Sequence, residues 1–219
     1  MNRISLKKYR KLRTDSHSIV WHNPVLAQGL ALPFAIAATT SLMNGVTLSA
    51  IMLGVVMVPA GLYRAFGAKT EGWLRPVLYS TANILVVWVF MNFVAGIQPA
   101  VIDSLGIYLP MVAVNTITMR LVSDDFAGGA GVVKQAFLNW VGLAVVICII
   151  SAIREVLGAG TLWGMAVSIG IPSLSPVLYP FGGFIIVGFL AAGLKGANRL
   201  IMRMLSQRGR KRTGRAAHE

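Results

Sequence analysis

Leu32-Pro33-Phe34-Ala35-Ile36-Ala37-Ala38-Thr39-Thr40-Ser41 returns in the second half of the chain as Leu109-Pro110-Met111-Val112-Ala113-Val114-Asn115-Thr116-Ile117-Thr118. Both copies lie inside apolar runs, and in both a proline is followed by small and hydroxyl-bearing residues. A proline within a helix removes an amide donor and clashes with the preceding turn. Thr39, Thr40, Asn115 and Thr116 stand near enough in sequence to satisfy the carbonyls so freed. Two interrupted apolar segments in matching positions of two halves mark the binding site of many repeat-built membrane proteins. A kink with no further role explains one such proline as well as a site does. Two in repeat-related positions favour a functional pair, with Leu32, Pro33, Thr39, Pro110, Asn115 and Thr116 as the candidate midplane site.

The surroundings of these segments set the solvent. The 219 residues are 56% hydrophobic and 12% charged, with mean hydropathy +0.71. A soluble domain carries about twice that charged fraction. The apolar residues form long runs, which predict six spans at about 25–43, 46–66, 75–96, 100–122, 132–157 and 174–198. Each is near the ~20 residues a helix needs to cross the hydrocarbon. The alternation of a transmembrane barrel is absent, and a backbone in lipid must satisfy itself, so helices are expected. The first apolar run is a whole span rather than the short core of a signal peptide.

The net charge of +13 is distributed by side, not along a nucleic-acid-binding face. Of 20 Lys and Arg, all but Arg154 fall in the tails, around or flanking the second and fourth connections, or at the close of the last span, which is 19 on one side of a six-span arrangement. The positive-inside rule then puts both termini in the cytoplasm. Residues 1–22 and 199–219 read as basic tails, loose or held at anionic headgroups. Residues 23–198 read as one membrane domain. Three spans separate the two Leu-Pro segments, and an odd number of crossings reverses direction. The halves, about 23–97 and 98–198, are therefore expected to form an inverted repeat with broken first and fourth helices. The expected fold class is an all-α integral membrane protein of six transmembrane helices.

Catalytic constellations are missing. His17, His22 and His218 lie in or beside the tails, and no Ser-His-Asp set or phosphate loop can be assembled. No acidic residue falls at the centre of a predicted span, which counts against a self-sufficient proton or sodium pump. Cys148 is the one cysteine and reads as helix packing. Arg154-Glu155 closes the fifth span on the less basic side, ahead of Gly158 and Gly160. Hydrogen bonding to loop carbonyls is one use for that pair, and an ion or partner contact is the other. Asp124-Asp125 reads as a solvated turn.

Asn23-Pro24-x-Leu26-x-Gln28 with Ala37-x-Thr39, Ser104-Leu105-Gly106-Ile107-Tyr108-Leu109-Pro110 running on to Asn115, Arg154-Glu155-x-x-Gly158-x-Gly160-Thr161-Leu162, and Pro180-Phe181-Gly182-Gly183-Phe184-Ile185 together cover most of residues 23–195. In combination they resemble the D/E-type membrane subunit of Rnf and Nqr electron-transport complexes (RnfE/NqrD-like). The resemblance implies a six-helix subunit paired with a homologous A/E-type (RnfA/NqrE-like) subunit in inverted orientation. It implies a bacterial inner-membrane complex moving electrons from NADH or ferredoxin and coupling them to sodium or proton transfer. Flavins and iron–sulfur clusters are implied on separate partner chains. It also implies an iron centre near the midplane, to which each paired subunit gives two cysteines.

Here the sequence departs from the pattern. The first cysteine position is Pro33, or Leu32 with a one-residue shift, and the second is Thr116. None of these replaces a thiolate ligand to iron, so no cofactor is expected to be ligated by this chain. The complex lacks the centre, or a partner supplies all its ligands, or this branch uses the scaffold differently. Three functions stay open: a redox-complex membrane subunit serving as scaffold and ion or electron path, a stand-alone inverted-repeat transporter or channel for a small substrate, and an assembly subunit.

Overall fold

The computed structural model describes residues 23–215 apart from 24, 27, 28, 68, 123–130 and 168–172. The N-terminal basic tail and Asp124-Asp125 lie outside the described residues.

The first expected span is not a continuous helix. Among its described residues, α1 (Leu32–Ala37) is entered from Ala31 in the left-handed region at φ 56°, and residues 38–41 separate it from the next helix. Pro33 sits in the first turn, where a missing N–H is harmless. The helix stops because hydroxyls compete for its backbone: Thr39 Oγ1 donates to Ala35 O at 2.7 Å. Ser41 then caps α2 (Leu42–Phe66), its Oγ accepting from Asn44 N at 3.2 Å. α3 (Arg75–Ile97) follows, and Arg75 braces the turn before it by donating to Thr70 O and Gly67 O.

The fourth expected span is also interrupted, but its sharp bend is not at the proline. It divides into α4 (Pro99–Leu105), α5 (Tyr108–Met111) and α6 (Thr116–Val122). The axis turns by 72° between Pro99–Leu105 and Tyr108–Arg120. The bend falls at Gly106, with φ 46° and ψ −124°, a conformation open to glycine and costly for other residues. Pro110 again lies in the first turn of a short helix. A second interruption, at 112–115, ends at Asn115, whose Oδ1 accepts from Thr118 N at 2.8 Å and so caps α6.

α7 (Val132–Ala159) ends on Gly160 in the left-handed region at φ 67°. A two-stranded antiparallel hairpin follows, β1 (Thr161–Leu162) with β2 (Met165–Ala166). It is a small departure from an all-α fold. A 3-10 helix (Ser175–Leu178) leads into α8 (Pro180–Arg215). α8 continues as helix well past position 199, the expected start of a loose C-terminal tail. No proline interrupts that stretch, and its Arg, Lys, Leu, Met and Gln are good helix formers.

The core is the α2–α7 contact, the most extensive between any two elements. Leu48, Ile51, Met52, Val55 and Val56 on α2 meet Leu143, Ile147 and Ile150 on α7, all buried. Gly45 sets the spacing, since a Cβ there would stand 2.1 Å from Ser151 Oγ. Gly183 likewise lets α8 rest on α1, with Ile36 O 2.9 Å from where its Cβ would be. Gly188 and Gly193, further along α8, face open space. The outer faces of α3 (Leu85, Trp88, Val89, Phe93) and α8 (Phe181, Phe184, Ile185, Phe189) are apolar and exposed. In water that would be a fault; in a bilayer it is the lipid-facing surface.

Among the described residues, three helices are long and apolar enough to cross a membrane: Leu42–Phe66, Arg75–Ile97 and Val132–Ala159. The bent pair makes a fourth if counted as one span. The apolar part of α8, Pro180–Gly196, is shorter. Among the described residues, three or four helices meet the length and composition of a span, against six runs expected from hydropathy. Runs that hydropathy reads as whole spans are here split by caps and turns.

Candidate functional site

The two interrupted segments meet. Ala31 N, at the entry to α1, donates to Thr116 Oγ1, at the entry to α6, over 3.0 Å. Asn115 is buried and spends its side chain locally, donating to Val112 O at 3.1 Å while capping α6. Beside it, Asn83 on α3 donates to Ala113 O at 3.1 Å, inside the gap, and to Thr118 Oγ1 at 3.4 Å. Thr118 Oγ1 in turn donates to Val55 O on α2 at 3.2 Å. The unwound backbone is thus held by Asn83 from α3 and by Asn115 from within the gap, while Thr118 ties the start of α6 to the α2 backbone.

Of the six residues expected at the midplane, Thr39 and Asn115 are buried, Leu32 is half-buried, and Pro33, Pro110 and Thr116 are exposed. Thr116 reaches the first segment through Ala31. Thr39 instead faces the other end of α1, where it meets Arg154. Asn83, Thr118 and Ala31 do not stand out from sequence as site residues. Asn83 carries a signal even so, one of two side-chain amides, with Asn92, in a largely apolar helix.

Arg154 and Glu155 both point inward from the end of α7. Arg154 is fully buried, and its five N–H donors meet five neutral acceptors. Nε donates to Val177 O at 3.1 Å. Nη1 donates to Ile36 O and to Thr39 Oγ1, and Nη2 to Leu178 O and Tyr179 O. One guanidinium therefore ties the C-terminal carbonyls of α1 to those of the 3-10 helix, where negative partial charge collects. Glu155 Oε2 accepts from Leu42 N at 2.6 Å, at the N-terminus of α2. Its Oε1 accepts from Thr161 Oγ1 at 3.2 Å and Gly164 N at 2.9 Å in the hairpin. Adjacent residues of opposite sign thus fix helix ends of opposite polarity. Gly158 makes room for the 3-10 helix, since a Cβ there would lie 2.5 Å from Leu178 Cγ. Gly160 ends α7 so that the chain can turn into the hairpin.

The residues at the paired segments do not fit an iron centre. Pro33 offers no ligating atom, and the Thr116 hydroxyl is neutral and engaged with Ala31. Cys148 sits on α7, away from both segments in sequence and element. Among the described residues, no three His, Cys, Asp or Glu gather in a group able to hold a metal ion.

Long apolar helices with exposed apolar faces, packed around two interrupted segments that meet through polar contacts, define a helical integral membrane protein. The model of the family described as "Rnf-Nqr subunit, membrane protein" matches residues 13–194, and the chain belongs to that family. One relative is the E-type subunit of the proton-translocating ferredoxin:NAD(+) oxidoreductase complex of Clostridium ljungdahlii, 28% identical over 201 residues, 90% of this chain and 93% of the relative. Another is the E-type subunit of the Na(+)-translocating ferredoxin:NAD(+) oxidoreductase complex of Acetobacterium woodii, 28% identical over 194 residues, 82% of this chain and 93% of the relative. A third is the E-type subunit of the ion-translocating oxidoreductase complex of Shewanella loihica, 30% identical over 191 residues, 78% of this chain and 81% of the relative.

Proposed function

We propose that this chain is the E-type membrane component of an ion-translocating oxidoreductase complex in a bacterial inner membrane. It serves as scaffold and lines the ion or electron path between partners. A homologous A/E-type membrane subunit covers its paired-segment face, and flavins and iron–sulfur clusters belong to other chains. Six crossings in two inverted repeats, with both termini cytoplasmic, is the topology we favour. Its support is that α2 and α7 hold the same place in their halves, each preceded by an interrupted segment and followed by another helix. The placement of 19 basic residues on one side supports the orientation.

One observation carries the reading of a complex. Backbone that is not helical lies on an exposed face: Val114, inside the 112–115 gap, is 62% exposed, and Pro33, Pro110, Met111 and Thr116 are exposed around it. The amides of Val112, Ala113 and Val114 close turns onto residues 108–111, yet non-helical chain at membrane depth is found where protein or a water-lined cavity covers it. A partner subunit on this face meets that requirement. Relatives of equal identity to this chain are named for protons and for sodium, so overall identity does not choose the coupling ion.

The test is affinity purification of the tagged chain from its native membrane in mild detergent. Co-elution with a second, homologous membrane subunit and flavin-bearing chains is expected. A homodimer free of redox partners would overturn the reading and favour a stand-alone transporter.

A further inference from the structure

We propose that the hydrogen bond from Ala31 N to Thr116 Oγ1 is a clasp that joins the two interrupted segments without a metal, at the positions where the family pattern places thiolates. The inference rests on the family reading of positions 33 and 116, not on the identity of any partner subunit.

Three features of this chain converge on it. Ala31 is held at φ 56°, which alanine adopts at a cost, and it is 1% exposed. No side chain from its own segment caps α1, so its N–H depends on the distant partner. A buried donor left unpaired away from water costs more than the bond itself contributes, so the acceptor at 116 matters. Second, the Thr116 hydroxyl is free to serve, because Asn115 already caps α6. A hydroxyl oxygen is a good acceptor for an amide and a thiol sulfur a weak one. Third, Pro33 occupies the other ligand position with neither an N–H nor a ligating atom, and sits in the first turn of α1, where a proline is tolerated. The two replacements fit together: one position closes a helix turn and the other supplies the tie between segments. Residues 85 positions apart are then fixed by protein alone.

The experiment is hydrogen–deuterium exchange at the peptide holding Ala31, with iron content measured on the same samples. It uses the chain in whatever assembly it purifies with, so failure of the complex reading leaves it intact. Thr116→Val keeps the shape and removes the acceptor. Exchange at Ala31 is expected to quicken by roughly tenfold to a hundredfold, while Thr116→Ser stays near wild type. Iron per assembly is expected to be equal in all three. Unchanged exchange in Thr116→Val would overturn the clasp, as would iron that falls with that substitution. Should Thr116→Val not accumulate, Thr116→Cys, with its weak acceptor, is read instead. Exchange as slow in it as in Thr116→Ser would count against the clasp.

Discussion

Arg154→Met is expected to loosen the end of the bundle where α1, α7 and α8 meet. Methionine removes five donors from a fully buried position and leaves the carbonyls of Ile36, Val177, Leu178 and Tyr179 without this partner. An orphaned buried acceptor costs about 1–3 kcal/mol. Tyr179 O keeps Gly183 N as a donor, so three of them sum to about 3–9 kcal/mol as an upper bound. Against this, the variant no longer desolvates a cation, which costs several kcal/mol. Relaxation and entering water reduce the penalty further, so a net loss of roughly 3–5 kcal/mol is expected, similar to breaking a buried charge contact. For a protein of this size each kcal/mol is worth about 2–4 °C in Tm. The variant should therefore melt roughly 6–20 °C lower in a detergent thermal-shift assay read by gel filtration. Arg154→Lys should recover only part of this, since an ammonium has three donors and no planar fork to span two helix ends. Lys195→Met is the control, because Lys195 is exposed. A melt of Arg154→Met within about 2 °C of that control would refute the reasoning.

Three further outcomes are expected. Glu155→Gln turns one acceptor into a donor facing Leu42 N or the hairpin, and should cost about 1–3 kcal/mol; faster amide exchange at residues 42 and 164 checks it. Gly183→Ala places a methyl 2.9 Å from Ile36 O and 3.3 Å from Ile36 Cα. Because the neighbour is backbone, about 1–3 kcal/mol of destabilisation is expected in the same thermal-shift assay. For topology, a fluorescent protein fused after Glu219 should fold and fluoresce in the cytoplasm, while a Gly164→Cys variant in a Cys148→Ser background should label from the outside; the reverse pattern would reject the orientation.

The membrane class and the paired interruptions were legible in the chain itself. Composition and run length depend on the solvent the surface must face, and a bilayer imposes that on sequence directly. The family motifs were legible too, because their residues are local strings. The cause of the interruptions was less so. Pro33 and Pro110 stand out in sequence as helix breakers, yet each sits in the first turn of a short helix. The breaks come from Thr39 and Asn115, which turn to nearby backbone, and from Gly106, which accepts a backbone shape other residues avoid. Hydropathy reads a capped gap and a continuous helix alike, so six runs did not become six long helices.

What sequence determined by itself was solvent and kinship: apolar runs, and strings shared with a family. What tertiary structure decided was which polar groups answer each other. Ala31 with Thr116, Asn83 with Ala113, and Arg154 with Ile36 and Tyr179 are separated by 85, 30, 118 and 25 residues. No local pattern encodes such pairs. They exist because a buried amide or carbonyl in an apolar surrounding must find a partner, and only the packed helices determine which one lies within reach.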